Sequence, residues 1–240
     1  MDAQSAIDIV RQRGILMANA LPAGTTGMSA VLGLSAEKIE EVCKEIQSKG
    51  LVLEIANYNC PGQIVVTGQK EALEKAEALL MEKGARRVLP LSVSGAFHSS
   101  LLQDASLELE KVLQQSKLSL PKIPVYHNIS GDKENVSSTN DLIEILKQQI
   151  CHSVRFEQTI RNMIRDGVDT FVEIGPGKTL SGFVRKVDRS VKDLYDQYGK
   201  RSGRNGLKHG TSRKEQHWSQ GPEKEVGKTI ALAFAQAVQM

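Results

Sequence analysis

The sequence predicts an α/β protein in which a compact βαββαβ unit interrupts a second, incomplete layer of helices and strands. Two observations support this prediction. Along residues 28–93 the apolar residues change between the strand period of two and the helix period of 3.6, and the segments form two matching halves. On both sides of that unit, helical segments alternate with short apolar strands, which is typical of parallel α/β architecture.

The βαββαβ unit begins with the short strand MSAVLGL. Ser35 suits the N-cap of the helix that follows, and Gly50 can end that helix. The strands LVLEIANY and QIVVT come next, joined by NCPG, in which Pro followed by Gly favours a type II turn. A second helix ends at Gly84, and RRVLPLSV closes the unit. This order of elements predicts a ferredoxin-like subdomain over residues 25–94.

A different pattern lies on either side of this unit. SAIDIVRQRGILM is an amphipathic helix with no strand before it. After His98 the sequence predicts the helix LLQDASLELEKVL, the strand IPVYHNI, the helices NDLIEILKQQI and RFEQTIRNMIRDG, the buried strand VDTFVEIG, and a turn and helix in PGKTLSGFVRKV. Two or three strands do not complete a parallel sheet. We therefore expect residues 1–24 and 95–192 to form part of a larger α/β subdomain.

Composition excludes several classes of protein. The 240 residues carry a net charge of +3, with 40% hydrophobic and 25% charged residues, and no apolar run approaches the roughly 18 residues of a membrane span. The first residues lack the order of a signal peptide. Three cysteines without a CxxC pair indicate neither a zinc site nor a disulfide framework. We expect a cytoplasmic protein without a metal or cofactor.

Residues 193–240 have another composition. Up to about residue 228 they are basic, rich in Gly and Ser, and almost free of Val, Ile and Leu, so burial cannot offset the entropy of ordering the chain. We expect a basic tail that is disordered or unrelated to the family that the rest of the chain resembles. Nucleic-acid binding is the disfavoured alternative, because phosphate attraction needs only clustered positive charge. The residues it would use are Lys200, Arg201, Arg204, Lys208, Arg213 and Lys214, with Tyr198 and Trp218 nearby.

Two residues are candidates for chemistry from their positions alone. His98 follows an apolar run and a small-residue turn in SVSGAFHSSLL, and it is either a general base or a structural histidine. Arg13 lies on the first amphipathic helix, and it is either a solvated charge or a clamp for a carboxylate. Asn59 adjoins the Pro-Gly turn, where turn formation and ligand contact are both open.

Two familiar motifs are absent. GPGKT resembles a phosphate-binding loop, but that pattern needs glycine where Val172 stands, so a plain strand-to-helix turn is favoured. No Gly-x-Ser-x-Gly elbow is present, and Ser94, Ser99 and Ser100 do not lie on one. The local sequence therefore identifies no nucleophile for His98.

Seven segments together carry a family resemblance. They are RQRGILM, PAGTTGMSAVLGL, NYNCPGQIVVTG, GARRVLPLSVSGAFHSSLL, PVYHNISG, KQQICHSVRFEQTI and FVEIGPGKTLSGFVRK. In this order they resemble the malonyl-CoA:acyl-carrier-protein transacylases of fatty-acid synthesis, over roughly residues 5–190. The resemblance implies an α/β-hydrolase-like large subdomain, here incomplete, with an inserted ferredoxin-like subdomain.

The resemblance also implies roles for the candidate residues. His98 matches the general base, and Gln149 matches the residue whose main-chain carbonyl orients that histidine. Arg13 matches the arginine that pairs with the free carboxylate of malonyl. Phe97 matches the residue that narrows the pocket, and Asn59 is a further substrate-binding candidate. The implied reaction moves malonyl from malonyl-CoA to the phosphopantetheine thiol of acyl carrier protein, by way of a serine ester.

That serine and its elbow lie ahead of the matched segments in the family, so we expect an N-terminally truncated relative with negligible activity alone. The alternative is a non-catalytic ferredoxin-like module that binds coenzyme A or acyl carrier protein.

Overall fold

The computed structural model describes residues 1–175, 177–196, 207–209 and 228–233. By the density of its internal packing the chain divides into two compact units, Met1–Thr159 and Ile160–Met240. The elements of the first unit are α1 (Ala3–Ala18), β1 (Thr26–Leu32), α2 (Ala36–Gln47), β2 (Leu53–Cys60), β3 (Gln63–Gln69), α3 (Lys70–Glu82), β4 (Arg87–Pro90), α4 (Gln103–Gln114) and α5 (Thr139–Gln148). The chain continues with α6 (Phe156–Arg165), β5 (Val168–Ile174), α7 (Thr179–Val187), β6 (Lys192–Asp196), β7 (Leu207–His209) and β8 (Lys228–Ala233).

The predicted order βαββαβ is present from β1 to β4. These four strands form an antiparallel sheet in the order β2-β3-β1-β4. The turn between β2 and β3 places Gly62 at φ +71°, which is the positive value that the third residue of a type II turn requires. Ser35 stands at the N-cap of α2 as expected, although its hydroxyl makes no capping hydrogen bond.

The core of this sheet explains why the segment folds as one piece. α2 and α3 pack against each other and against the sheet, so they cover the same face. Complete burial of one Ile or Leu side chain stabilises the folded state by roughly 2 kcal/mol. The buried members are Val31, Leu34, Ile39, Val42, Cys43, Ile46, Leu53, Ile55, Ile64, Val66, Ala72, Ala76, Leu80 and Ala85.

Three helices of the first unit pack outside this sheet. α4 packs against both α1 and α5. α5 begins with a capping box, in which Ser138 and Asp141 each satisfy the other's backbone N–H. The predicted strand IPVYHNI is not formed, and the described structure there is a single bridge between Tyr126 and Lys133. Pro124, the second residue of the segment, cannot donate a hydrogen bond to a neighbouring strand.

In the second unit, β5 pairs in parallel with β6 and with β8, and β6 pairs antiparallel with β7. Parallel pairing of VDTFVEIG agrees with the α/β pattern of the sequence. The expected unstructured tail differs from the described backbone, because β7, β8 and most of β6 fall within residues 193–240. Apart from Lys208, which is in β7, the basic and aromatic residues proposed for nucleic-acid binding lie outside the described residues.

A buried carboxylate accepts hydrogen bonds from the segment that follows β5. Glu173 is buried, and its carboxylate accepts hydrogen bonds from the backbone N–H groups of Leu180 and Ser181 at 3.2 and 2.8 Å. The Ser181 hydroxyl donates to the same carboxylate at 2.8 Å. A side-chain anion thus occupies the start of α7, where a phosphate would otherwise bind. This arrangement supports the strand-to-helix interpretation of GPGKT.

Candidate active site

His98 lies on the loop between β4 and α4, with a left-handed backbone at φ +59°. Among the described residues it is the one non-glycine residue with positive φ, a conformation that costs roughly 1–2 kcal/mol. Two neighbouring hydrogen bonds hold the loop. The Ser99 hydroxyl donates to the carbonyl of Ala96 at 2.7 Å, and the Ser100 N–H donates to the Glu54 carboxylate at 2.9 Å. Glu54 belongs to β2, so the sheet fixes the loop.

The imidazole of His98 is oriented by the main chain. Its Nδ1 donates to the carbonyl of Gln149 at 2.8 Å, and its backbone N–H donates to the carbonyl of Ile150 at 3.0 Å. Gln149 is the C-cap of α5, where carbonyl groups have no partner within the helix. With the proton on Nδ1, the neutral ring presents Nε2 as an acceptor. That is the tautomer a general base needs.

Burial and charge both keep His98 neutral. The side chain is only 2% exposed. Burial, and to a smaller extent the positive charge of Arg13, lower its pKa from 6.5 to about 4, although hydrogen bonding to the backbone at Gln149 and His152 acts in the opposite direction. At neutral pH the ring therefore holds an available lone pair.

Arg13 lies on α1, the helix that packs against α4. One turn further along, Leu16 lines a groove of about 230 Å³ together with Leu101, three residues after His98. Arg13 is partly buried, burial lowers its pKa, and within the described part of the chain it makes no hydrogen bond or ion pair. A guanidinium removed from water without an anion is unfavourable, so this position suits an acidic ligand.

Phe97 and Asn59 are both buried, at 6% and 5% exposure. Phe97 directly precedes His98, and its ring lies against Gly95, where an added Cβ would be 3.6 Å from it. Asn59 lies at an irregularity in the pairing of β2 with β3. In the described residues neither side chain is hydrogen bonded to His98 or Arg13. The structure brings His98 and Gln149 together by a hydrogen bond, whereas Arg13 acts on His98 only through its charge.

The serines near His98 are not its partners. The hydroxyl of Ser99 is bound to Ala96, that of Ser100 donates to Glu54 at 2.5 Å, and Ser94 is exposed. No Ser or Cys side chain within the described ranges is hydrogen bonded to His98. His, Cys, Asp and Glu of the same ranges form no group of three or more that could hold a metal ion.

The sequence does not reveal the groups that surround the Gln149 carbonyl and the His98 imidazole. Three successive carbonyls at the end of α5 each accept from a side chain. Ser106 donates to Lys147 at 2.9 Å, His152 Nδ1 to Gln148 at 3.0 Å, and His98 to Gln149. The signal available in the sequence is that the last carbonyls of any helix need donors, but the partners are distant along the chain.

The loop that carries Gln149 also meets the sheet. Its residue Val154 donates to the carbonyl of Ala56 at 2.7 Å and accepts from the N–H of Tyr58 at 2.9 Å. The Ser153 hydroxyl donates to the carbonyl of Ile55 at 2.5 Å. This loop therefore contacts both the outer edge of β2 and the imidazole of His98.

A family model described as acyl transferase domain matches residues 1–215. The chain belongs to the acyl transferase family. The match extends past residue 192, where the sequence resemblance was expected to end. No helix in the described ranges of this acyl transferase chain is long and apolar enough to cross a membrane.

Two curated relatives of this acyl transferase chain carry the same name. The malonyl CoA-acyl carrier protein transacylase of Bacillus subtilis (strain 168) is 42% identical over 191 residues, which cover 80% of this chain and 60% of the relative. The protein of the same name from Staphylococcus aureus (strain MSSA476) is 43% identical over 194 residues, covering 79% and 61%. The chain thus spans about three fifths of the length of these relatives.

Solved structures of similar proteins share the fold of this chain. The acyl carrier protein S-malonyltransferase of Vibrio cholerae superimposes with a TM-score of 0.78 at 36% identity, over 82% of this acyl transferase chain and 63% of that one. A malonyl-transacylase in complex with its type II PKS acyl-carrier protein gives 0.77 at 34% identity, over 81% and 62%. The mixed α/β fold is therefore that of acyl transferases.

Proposed function

We propose that the protein takes part in malonyl transfer from malonyl-CoA to the phosphopantetheine thiol of acyl carrier protein, in the cytoplasm and without a cofactor. The relatives' names supply the reaction class. The observation that carries the proposal is Arg13, a partly buried cation without an acidic partner in the described residues, whose charge acts on the buried His98. Malonyl is the acyl group that brings the missing carboxylate.

In this proposal each residue has one task. Arg13 binds the malonyl carboxylate with its planar fork. Nε2 of His98 takes the proton of an attacking hydroxyl and later returns it to the leaving thiolate, while the Gln149 carbonyl keeps Nδ1 protonated. Phe97 and Asn59 shape the pocket around the acyl group. The acyl group is thus held as an ester between two thioester exchanges.

We further propose how the segments divide. Residues 25–94 form the ferredoxin-like subdomain, which the strand order β2-β3-β1-β4 supports. Residues 1–24 and 95–192 belong to the α/β-hydrolase-like subdomain. The 240 residues contain no Gly-x-Ser-x-Gly segment, so transfer by this chain alone is negligible.

Binding of a carboxylate tests the proposal without requiring turnover. Isothermal titration with malonyl-CoA is expected to show saturable binding that Arg13→Gln weakens by about ten- to a hundredfold, since a charge-assisted hydrogen-bond pair is lost. Arg11→Gln is the matched control, because Arg11 is an exposed arginine on the same helix. Equal weakening by both variants, or by neither, contradicts the carboxylate site.

A non-catalytic module that binds coenzyme A or carrier protein is the second candidate, favoured by the self-contained core of the β1–β4 sheet. Titration with labelled acyl carrier protein separates the two. Saturable binding that Arg13→Gln leaves unchanged, without acyl transfer, supports the module. Transfer that His98→Ala abolishes contradicts both the module and the expected inactivity of the chain alone.

A further inference from the structure

Strand β2 supports the loop that carries His98. The carboxylate of Glu54, on β2, accepts hydrogen bonds from both the N–H and the hydroxyl of Ser100, at 2.9 and 2.5 Å. Ser100 comes two residues after His98 and begins a short 3-10 helix, Ser100–Leu102, that runs directly into α4. The first N–H groups of a helix have no partner within it, so a carboxylate at this position is favourable. Glu54 therefore fixes the point at which the loop enters its helix.

The same strand supports the second loop that meets the imidazole. The carbonyl of Ile55 accepts from the Ser153 hydroxyl at 2.5 Å. The carbonyl of Ala56 accepts from the Val154 N–H at 2.7 Å. Ser153 and Val154 follow Gln149 on one loop. The loop that carries the imidazole and the loop that orients it are thus attached to three successive residues of β2.

His98 needs support from both loops to keep its orientation. Its Nδ1 and its backbone N–H donate to the carbonyls of Gln149 and Ile150 at 2.8 and 3.0 Å. Its left-handed backbone, at φ +59°, is unfavourable for a residue with a side chain. If Ser100 were released, rotation to an ordinary negative φ would relieve this cost and would move the ring away from Gln149. The proton of a neutral imidazole is placed on Nδ1 or Nε2 by the hydrogen bond that the ring makes.

We propose that Glu54 is a positioning residue for His98. By holding Ser100, its carboxylate maintains the left-handed backbone that keeps Nδ1 on the Gln149 carbonyl and leaves Nε2 as an acceptor. The task of that imidazole as a base belongs to the proposed function, on which this inference rests. The β1–β4 sheet thus sets the tautomer of a histidine that lies outside the sheet.

Nuclear magnetic resonance of the full chain, labelled with ¹⁵N and held at neutral pH, tests this on two groups of His98. In the wild type the ring nitrogens are expected to report a proton on Nδ1 alone. Glu54→Ala is expected to mix the two tautomers, so that the separation between the two ring ¹⁵N shifts falls. The backbone N–H of His98 is expected to exchange with deuterium about tenfold faster, because charge-assisted hydrogen bonds are lost, while amide exchange in β1 and β3 stays unchanged.

Variants of the partner serine and of a distant acid complete the experiment. Ser100→Thr keeps both donors and is expected to behave as the wild type. Ser100→Ala keeps only the N–H donor and is expected to fall between the wild type and Glu54→Ala. Glu41→Ala is the matched control, because it removes a carboxylate that accepts from Lys83 at 2.8 Å, also over a long separation in the chain. It is expected to leave both His98 signals unchanged.

Two results would overturn this inference. One is a Glu54→Ala variant in which both His98 signals stay as in the wild type. The other is faster exchange of equal size throughout the β1–β4 sheet, because Glu54 would then support stability in general and not the orientation of His98. Either result leaves the carboxylate site at Arg13 standing, since titration with malonyl-CoA tests that site separately.

Discussion

At the scale of single residues, His98 combines several energetically unfavourable features. Its ring is removed from water and held beside a positive charge, yet its backbone occupies the left-handed region. Each feature costs free energy, and the bonds from Ser99 and Ser100 hold the loop against that cost. A residue kept under such conditions is typical of sites where function outweighs stability.

The lowered pKa of His98 predicts a pH-dependent stability. Its folded pKa is about 4 and its ordinary value 6.5, so between those values the unfolded chain binds more protons and stability falls as pH is lowered. The loss is at most roughly 3 kcal/mol. Urea denaturation from pH 7 to pH 4 is expected to show a smaller loss for His98→Gln than for wild type. His127, whose pKa burial also lowers, contributes equally to both proteins. Parallel curves would contradict the prediction.

Gly68 in β3 shows how tightly the small sheet is built. A Cβ at this position would stand 2.1 Å from the carbonyl oxygen of Val52, and backbone atoms cannot easily move away. Gly68→Ala is therefore expected to lower the free energy of unfolding by at least about 2 kcal/mol in urea denaturation. Its cross-strand neighbour Gly27 is the control, since a Cβ there meets only the end of Leu73 at 3.4 Å. Equal effects of the two substitutions would speak against the close approach.

At the scale of elements, the C-terminus of α5 organises the candidate site. The unpaired carbonyls of a helix end carry partial negative charge, and here side chains from α4 and two loops meet them in succession. One of those acceptors holds His98. The orientation of the His98 imidazole is thus set by where a helix ends.

Ser106 tests this arrangement, because it joins α4 to the carbonyl of Lys147. Ser106→Ala removes the shorter of two hydrogen bonds to this carbonyl, at 2.9 Å, and leaves the 3.3 Å bond from the Ile150 N–H, so it is expected to cost about 1 kcal/mol of unfolding free energy, measured by thermal or urea denaturation. It is also expected to shift the ¹⁵N resonances of His98. Ser116→Ala removes a local bond to Val112 within α4's own end and serves as control. An unmoved His98 resonance would show that the helix end does not act as a unit.

At the scale of the whole molecule, the β1–β4 sheet is expected to fold by itself. Every buried member of its core lies between Val31 and Ala85. Residues 25–94 expressed alone are expected to unfold cooperatively in urea, though less stably than the full chain, because domains of this size are marginal. Ile39→Ala, at a fully buried position, is expected to abolish the transition. A gradual, non-cooperative loss of circular dichroism in the parent fragment would contradict this.

Much of this fold could be predicted because its signals are local. Helix periodicity, a Pro-Gly turn and glycine stops define β1 to β3 within a residue or two, whereas β4 ends three residues before the end of its predicted segment. The segment IPVYHNI does not form its predicted strand, because its apolar residues favour a strand whereas Pro124 cannot donate a backbone hydrogen bond. The strands β6 to β8 are not predicted because their pairing joins distant parts of the chain: β6 and β8 pair with β5, and β7 pairs with β6. Polar residues also dominate the short strands β6 and β7.

The candidate site could be predicted only in part, because the contacts that support it join residues far apart in the chain. Family resemblance identified Arg13, His98 and Gln149, and the hydrogen bond from His98 to the Gln149 carbonyl is present. The supporting groups Glu54 and Ser106 contact residues 46 and 41 positions away in the chain, and no local pattern marks them.

The pairing of Val154 with the edge of β2 has a consequence for association between molecules. An open strand edge can recruit a strand from a neighbouring copy and begin aggregation. Here an incoming strand must first displace the loop whose earlier residues, Gln149 and Ile150, hold His98. Self-association through this edge is therefore expected to disturb the orientation of the His98 imidazole as well.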